Sequence, residues 1–188
     1  MPMRENTPSP ADTRERVVEA ARELIVTRSY LGFSFQDIAE RVGIRKPSLY
    51  HHFATKEALA VEVVRQASEA FERWTSRMSQ SPAKQLDAYF RMYRDTLRAG
   101  SAVCPAGAFA PGWDMVSSEV QVAVQALRNT QVAWLATVLS ELGPPRRARA
   151  RAAYVFAACQ GALIAARMTG DVADFDEAIS VARRALED

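Results

Sequence analysis

Along most of this chain, apolar residues recur at intervals of three and four positions, with polar residues between them. That spacing collects the apolar side chains on one face of an α-helix, so it predicts helices throughout. The longest stripe begins after Lys56 and indicates a helix that reaches about Met78. Clusters of Pro, Gly and Ser separate the stripes. The predicted helices cover residues of about 12–28, 34–42, 47–53, 56–78, 82–100, 118–142, 146–168 and 171 onward.

Two short helices within residues 34–53 are joined by a turn that the local sequence specifies. Ser34 is placed to cap the first helix, and Asp37, three residues on, completes a capping box. Gly43 most easily takes the left-handed conformation that ends a helix. Pro47 suits the first turn of the second helix, because its φ is already helical and its missing N–H is not needed there. The segment therefore predicts a helix-turn-helix.

The second helix of this unit has two different faces. Leu49 and Phe53 are four residues apart, so they share the face that docks on the first helix. The opposite face carries hydrogen-bond donors that can reach base edges or phosphates from the major groove. The alternative is an ordinary helical hairpin whose basic residues are simply solvated. The predicted DNA-contacting residues are Ser34, Arg45, Lys46, Pro47, Ser48, Tyr50, His51 and Lys56.

The motifs IA, VGIRKPSLYHHF and TKEAL resemble the N-terminal signature of the TetR family of bacterial transcriptional regulators. The resemblance extends from Val17 to Leu59, and the length of the chain also suits that family. Two departures bear on which operator is read. Arg45 stands where the family commonly has a small hydroxyl residue, and Pro47 where it often has Gly or Ala.

The resemblance implies an all-α protein without a cofactor, in which a three-helix DNA-binding head is joined to a helical ligand-binding and dimerisation body. We predict a mobile arm at residues 1–11, the helix-turn-helix head at 12–56 and the body at 57–188. The expected partners are a double-stranded DNA operator, a small-molecule effector and a second copy of the chain. Repression is the family's usual mode of action.

Composition is compatible with a small regulator. The chain has 188 residues, of which 48% are apolar, so it is long and apolar enough to fold around a core. Its net charge is only +2, so a DNA-binding field has to come from local basic residues in the first sixty positions. No stretch approaches the roughly 20 apolar residues of a membrane span, and MPMRENTPSPADTR lacks the apolar block of a signal peptide. We therefore expect a cytoplasmic protein without a membrane partner.

The segment Ser101 to Ser117 is irregular, because it contains two prolines and two glycines, and it is also rich in apolar residues. Such a loop is expected to fold over a cavity or into it. The body carries more aromatic residues than packing requires, which favours a pocket for a small apolar or aromatic ligand. Each residue taken alone is better explained by core packing, and it is the set beside the irregular loop that indicates a cavity. The predicted ligand-binding residues are Tyr89, Phe90, Tyr93, Cys104, Phe109, Trp113, Met115, Trp134 and Phe156.

Cys104 has two interpretations. A cysteine at this point resembles the branch of TetR-type regulators that respond to reactive electrophiles, and a helix following it would stabilise its thiolate. The alternative is a buried apolar thiol, since no Lys or His is near in the sequence to lower its pKa. Two cysteines are too few for a disulfide scaffold, and Cys159, in an Ala-rich helix, is expected to serve packing.

The last two predicted helices carry stripes that favour a homodimer. Small residues in the first of them would allow close approach of another helix. The resemblance implies a four-helix bundle between two protomers, and two recognition helices about 34–36 Å apart would read successive major grooves. The alternative is that both stripes only close the protomer's own core. The predicted interface residues are Tyr154, Ala157, Gly161, Ile164, Met168, Phe175, Ile179, Ala182 and Leu186.

Two other classes of function compete with a ligand-responsive regulator. A small helical enzyme would use the aromatic pocket as an active site, but no catalytic triad, paired carboxylates or phosphate loop is apparent. His51 and His52 are adjacent and point about 100° apart on a helix, so they do not form a chelating pair for a metal. An architectural DNA-binding protein would need no ligand, and it would bind DNA without sequence preference.

Overall fold

The computed structural model describes residues 9–98, 100 and 103–186 of the chain, and within them the regular structure is helical, with no strand. Three-residue 3₁₀ turns occur at Tyr30–Gly32, Gly107–Phe109, Trp113–Met115 and Pro145–Arg147. The prediction of an all-α fold is confirmed. The α-helices are α1 (Pro10–Arg28), α2 (Phe35–Val42), α3 (Lys46–Tyr50), α4 (Lys56–Ser76), α5 (Pro82–Arg98), α6 (Ser118–Ser140), α7 (Ala148–Thr169) and α8 (Val172–Arg184).

The first helix begins earlier than the sequence pattern indicates. Ser9 is its N-cap, and its hydroxyl accepts a hydrogen bond from the backbone of Asp12, whose carboxylate accepts from the backbone of Ser9. The spacing of Asp12 and Glu15 in the sequence also fits a capping box, but the structure forms it between Ser9 and Asp12. Pro10 is already helical, so the end of the predicted arm belongs to α1, while residues 1–8 lie outside the described residues.

The head consists of α1, α2 and α3, which close around a small apolar core. Val17 and Ile25 of α1, Ile38 of α2 and Leu49 of α3 are completely buried in it. This core continues without a break into the body, because α4 packs against α1 at one end and against α6 further along. The head and the body therefore share one core.

The body is built around α6 and α7, which pack against each other, with α4, α5 and α8 around them. The irregular segment between α5 and α6 carries two of the 3₁₀ turns and lies against the head and the body. Cys104 and Phe109 in this segment are buried, as expected for a loop that covers a cavity.

By length and composition alone, the segment Pro145–Thr169 is apolar enough to cross a membrane. The expectation that no stretch approaches this length is therefore wrong. The helix in this segment, α7, packs against α5, α6 and α8, and the core helix of a water-soluble protein passes the same test. Only part of its surface is covered within the protomer, which leaves an apolar outer face.

Candidate nucleic-acid interface and ligand cavity

The helix-turn-helix has the local geometry that its sequence predicts. The hydroxyl of Ser34 accepts from the backbone N–H of Asp37 at 3.4 Å, and the Asp37 carboxylate accepts from the backbone N–H of Ser34 at 2.8 Å. Gly43 adopts φ 75°, and its N–H donates to the carbonyl of Ala39 at 2.9 Å. A side chain at this φ would be strained, so the turn depends on glycine.

The recognition helix α3 is short and anchored by two apolar side chains. Arg45 is its N-cap residue and Pro47 lies in its first turn. Leu49 is 0% exposed and Phe53 is also buried, so both face into the head as predicted. The opposite face of the helix is left towards solvent.

Most of the predicted DNA-contacting residues lie on this outer face. Arg45, Lys46, Pro47, Tyr50 and His51 are exposed, whereas Ser48 is half-buried. The Tyr50 side chain is 50% exposed, and an edge contact with the ring of Phe35, with centroids 5.2 Å apart, supports it. Their contact with DNA stays a prediction, for which this placement is a necessary condition.

Positive charge on the head is unpaired mainly beside the recognition helix. Arg28 pairs with Asp37 at 3.5 Å, and Arg41 pairs with Glu23. Within the described part of the chain, no acidic side chain forms an ion pair with Arg45 or Lys46. These two cations are therefore available to phosphate oxygens.

Lys56 lies further inside the head than its sequence position suggests. Its Nζ donates to the backbone carbonyls of Tyr30 at 2.6 Å and Phe33 at 2.5 Å, and it lies over both aromatic rings. Burial lowers the pKa of its ammonium group. An ammonium group has three donors, so one N–H remains for a phosphate. Lys56 ties the start of α4 to the head, and its contact with DNA stays a prediction.

A cavity of about 580 Å³ lies between the head and the body. Its walls come from α1, α4, α5, α6 and the irregular segment. A ligand in the cavity would therefore contact α1, which belongs to the head. The volume is within the range of small-molecule sites, which is roughly 300–1,000 Å³. The lining includes Glu15, Arg22, Arg65, Gln66, Ala67, Glu69, Ala70, Phe71, Arg73, Trp74, Met92, Tyr93, Thr96, Cys104, Pro105, Leu127 and Gln131.

The inner end of this cavity is polar. The hydroxyls of Tyr89 and Tyr93 lie 2.9 Å and 3.0 Å from Oε1 of Gln131, and Gln160 donates to the Tyr93 oxygen at 3.3 Å. The Tyr93 hydroxyl also lies 3.7 Å from Sγ of Cys104. Burial raises the pKa of both tyrosines well above its ordinary value, so both hydroxyls remain protonated.

Two charged residues that line the cavity, Arg65 and Glu69, belong to one ion-pair network with Glu62 and Arg14. Arg65 donates to Glu62 at 2.8 Å and also pairs with Glu69, while Arg14 of α1 reaches Glu62 at 3.2 Å. The Arg65 guanidinium beside Glu62, followed by that of Arg14, lowers the pKa of this carboxyl to about 2. Because Arg14 and Arg65 share one carboxylate, Glu62 links α1 of the head to α4.

The irregular segment connects the cavity to the head. Cys104 lines the cavity, and five residues later Phe109 packs on Tyr30 of the head, with ring centroids 5.3 Å apart. The Tyr30 hydroxyl donates to Glu57 at 3.1 Å, next to Lys56. A movement of the segment at Cys104 would therefore reach the residues at the start of α4.

The outer face of α7 carries an exposed apolar stripe. Tyr154, Ala157, Gly161, Ile164 and Met168 are all exposed on it, as the predicted interface requires. A Cβ atom built on Gly161 meets no atom within 4 Å, so the glycine is not required by packing inside the protomer. A helix from outside the protomer could approach closely at this point.

Comparisons with known proteins agree with this architecture. The model of bacterial regulatory proteins of the tetR family matches residues 17–63. A solved TetR-family regulator from Agrobacterium tumefaciens is 30% identical, with a TM-score of 0.84 over 95% of this chain and 98% of that chain. The chain belongs to the TetR family. The resemblance predicted from its helix-turn-helix is confirmed.

Two further relatives of this TetR-family chain are similar over smaller parts or at lower identity. The repressor KstR2 of Mycolicibacterium smegmatis is 39% identical over 64 residues, which cover 34% of this chain and 31% of KstR2. The match therefore spans about a third of that curated relative. AibR, solved in complex with isovaleryl coenzyme A and operator DNA, is 22% identical with a TM-score of 0.62, covering 79% of this chain and 84% of AibR. That likeness concerns the fold.

The ligand cavity of this TetR-family chain contains only some of the predicted residues. Tyr93 and Cys104 line it, while Tyr89 and Trp134 contact its wall through Phe71. The other five predicted residues are not among its lining residues. Phe90 packs under Arg183, Phe109 packs on Tyr30, Phe156 lies near Arg128, Trp113 lies at the start of a 3₁₀ turn, and Met115 is 75% exposed.

Cys104 is buried, yet it lines the cavity. The element that follows it is a three-residue 3₁₀ turn at Gly107–Phe109, so the expected stabilisation of its thiolate by a helix N-terminus is wrong. Cys159 is completely buried, and burial raises the pKa of its thiol. This is the packing environment predicted for Cys159.

The predicted dimer stripe on α8 faces the wrong way. Phe175, Ile179, Ala182 and Leu186 are buried within the protomer, where α8 packs on α7. These residues close the core of their own chain, and that part of the predicted interface is wrong. The predicted interface residues of α7 are exposed, so they form a surface that can contact a partner.

The sequence analysis does not identify the cavity-lining residues of α4 or the residues at the polar end of the cavity. Phe71 and Trp74 line the cavity, although the sequence pattern indicates only that they belong to the apolar stripe of a helix. Gln131 is 3% exposed and lies on the buried face of α6, four residues after Leu127 and four before Leu135. A lone amide at such a position is the signal that could have indicated a functional site, because buried polar groups require partners.

Proposed function

We propose that this TetR-family chain is a ligand-responsive, sequence-specific DNA-binding transcriptional regulator. It acts as a repressor that leaves a palindromic operator when a small apolar, aromatic or electrophilic molecule binds its body. The position of the cavity carries this proposal, because α1 of the head forms part of its wall. A ligand that binds better to one orientation of the head shifts the population towards that orientation.

The proposed partners are double-stranded DNA, a small-molecule effector and a second copy of the chain in the bacterial cytoplasm. The exposed apolar stripe on α7 supports the second copy. Curated relatives of the head are named as transcriptional repressors, and AibR carries both a ligand and operator DNA on a similar fold. A dimer would place two recognition helices on successive major grooves.

The irregular segment is the proposed route from ligand to DNA. Cys104 lies in the cavity wall, and Phe109 holds the same segment against Tyr30 of the head. Arg167 of α7 adds a second link, since its guanidinium donates to the carbonyl of Thr27 at 2.8 Å. Packed elements with two discrete arrangements transmit such shifts as rigid-body movements.

Tyr50→Ala tests the proposed DNA interface. The side chain is half exposed and borders the unpaired cations, so its removal should weaken operator binding by about 1–3 kcal/mol. The thermal unfolding midpoint should change little, because exposed side chains contribute little to stability. Fluorescence anisotropy with labelled operator DNA measures the effect. Unchanged affinity would remove Tyr50 from the interface.

Gly161→Arg tests the proposed dimer. The new side chain should not disturb the protomer, because Gly161 faces open space, but it should cost a closely packed interface about 1–3 kcal/mol per copy. Light scattering coupled to size-exclusion chromatography should show a shift from dimer to monomer. Ser76→Arg, at the exposed end of α4, is the matched control and should remain dimeric. A dimeric Gly161→Arg variant would contradict the α7 interface.

Cys104→Ser tests the electrophilic class of effector. Cys104 lines the cavity, so an alkylating reagent that enters it can reach the thiol, whereas Cys159 is completely buried. The variant should bind the operator normally and no longer respond to N-ethylmaleimide, while Cys159→Ser should respond like the wild type. Operator release of Cys104→Ser by the reagent would exclude this cysteine as the sensor.

The two rival functions make different predictions. An architectural protein should bind any duplex with the same affinity and the same salt dependence, whereas a regulator should prefer its operator. An enzyme should turn over a cavity ligand. Among the described residues, no group of three or more His, Cys, Asp or Glu side chains is arranged to hold a metal ion. The exposed recognition helix and the head-to-body cavity favour the regulator.

A further inference from the structure

The inner end of the cavity contains one amide with an unused donor. Gln131 is 3% exposed, and its Oε1 is approached by the hydroxyls of Tyr89 and Tyr93. Within the described residues, its Nε2 donates no hydrogen bond. Nor is Nε2 sealed off inside the protein, as the unpaired hydroxyl of Ser117 is. Its accessible side therefore faces the cavity that Gln131 lines.

The amide oxygen of Gln131 points at the two tyrosine hydroxyls. Each tyrosine hydroxyl has one proton, and both protons have an acceptor in Oε1 of Gln131. Tyr93 in turn accepts from Gln160 at 3.3 Å. This arrangement satisfies the tyrosines and leaves the two N–H groups of the Gln131 amide for a molecule in the cavity.

A ligand that fills the cavity takes Nε2 out of contact with water, so it has to supply an acceptor or leave the donor unpaired at a desolvation cost. A carbonyl oxygen is an acceptor without a donor, so it complements Nε2. A hydroxyl brings its own proton, for which Oε1 is already occupied. The polar end of the cavity therefore selects for a carbonyl-type acceptor.

The walls select the rest of the ligand. Phe71 and Trp74 line the cavity from α4, with ring centroids 5.7 Å apart, and Met92 and Leu127 line it from α5 and α6. Aromatic walls favour a flat ring. The three lining arginines have carboxylate partners: Arg22 donates to Glu19 at 2.9 Å, Arg65 is paired with Glu62 and Glu69, and Arg73 lies 3.8 Å from Glu69. Together with the lining carboxylate of Glu15, they do not call for an anionic ligand.

We propose that the cavity binds an uncharged, flat aromatic molecule whose carbonyl-type acceptor receives a hydrogen bond from Nε2 of Gln131. This inference rests on the proposed function, since it names the class of effector for the same cavity. A bicyclic aryl ketone is of suitable size for a space of about 580 Å³. Such a ketone is not an alkylating reagent, so its binding is independent of Cys104 chemistry.

The test compares 1-tetralone with tetralin, which has the same two rings without the carbonyl group. Isothermal titration calorimetry on the wild-type protein should show at least about tenfold tighter binding of 1-tetralone, since tenfold corresponds to about 1.4 kcal/mol. Equal affinities, or no binding of either compound up to its solubility, would overturn the proposal. This comparison needs no variant.

Gln131→Met assigns the preference to the amide. Methionine has a similar length without a donor, and the tyrosines keep other acceptors, because Tyr89 lies 3.2 Å from the Tyr93 hydroxyl and Tyr93 lies 3.7 Å from Cys104 Sγ. The variant should bind both compounds equally, with tetralin affinity within about threefold of the wild-type value. A ketone preference that persists in Gln131→Met would overturn the assignment.

Operator release separates this inference from the proposed function. If 1-tetralone binds with the expected preference but leaves the operator complex intact, the ligand class holds and the regulatory role of the cavity fails. If both compounds bind equally and both release the operator, the regulatory role holds and the ligand class fails. The inference is therefore decided only by whether 1-tetralone binds more tightly than tetralin.

Discussion

Phe109→Ala should destabilise the protein by about 3–5 kcal/mol, the usual cost of removing a fully buried aromatic side chain. Phe109 is 0% exposed and packs on Tyr30 of the head with ring centroids 5.3 Å apart. Denaturant unfolding followed by circular dichroism measures the change. The variant should also respond more weakly to a cavity ligand, because the irregular segment would lose its contact with the head.

Met115→Ala is the matched control for Phe109→Ala. It lies in the same irregular segment, but its side chain is 75% exposed. Its removal should change stability by no more than about 0.5 kcal/mol. If both variants lost the same stability, the segment would not be anchored through Phe109, and the proposed route from cavity to head would be contradicted.

Leu49→Ala should destabilise the head by about 2–5 kcal/mol and abolish operator binding at micromolar protein. Leu49 is 0% exposed and is the main anchor of a recognition helix that has only five residues. Without this anchor, α3 would no longer hold its outer face in place. Unfolding experiments and anisotropy titrations should both report the loss.

Tyr50→Ala is the natural comparison for Leu49→Ala, because the two residues are adjacent on α3 but Leu49 is buried in the head and Tyr50 is half exposed. Tyr50→Ala should lower operator affinity while the unfolding free energy stays nearly constant. Leu49→Ala should lower both. If Leu49→Ala unfolded like the wild type, the docking of α3 on the head would not depend on this side chain.

The parts of the fold set by local interactions could be predicted from the sequence. Ser34 and Asp37 form the expected capping box, and Thr55 caps α4 by accepting from the backbone of Ala58 at 3.1 Å. Gly43 takes the expected left-handed conformation. These features depend on residues within a few positions of one another, so sequence spacing is sufficient to find them.

Features that depend on distant packing could not be predicted. The stripe on α8 has the same periodicity as the stripe on α7, yet the first is buried in the protomer and the second is exposed. Periodicity identifies an apolar face but not what covers it. The same reasoning applies to Lys56, whose partners Tyr30 and Phe33 are more than twenty positions away in the sequence.

The cavity illustrates the same limit. The aromatic content of the sequence indicates a pocket in the body, but several of these aromatic residues pack elsewhere. The sequence pattern places the α4 residues that line the cavity, Phe71 and Trp74, only on the apolar stripe of a helix. Gln131 meets Tyr89 and Tyr93 across 42 and 38 residues of sequence. Only the packing of α4, α5 and α6 brings these groups to one space, so the polar end of the cavity is a product of the tertiary fold.

Binding to the DNA flanking the protein's own gene tests the central claim most directly. Fluorescence anisotropy should be measured with unrelated DNA as competitor, over a range of salt concentrations, with and without a cavity ligand. We predict competitor-resistant binding with the stoichiometry of a dimer, a steep loss of affinity with salt, and release by the ligand. Affinity equal to that for unrelated DNA, unaffected by any cavity ligand, would contradict a ligand-responsive regulator of this gene.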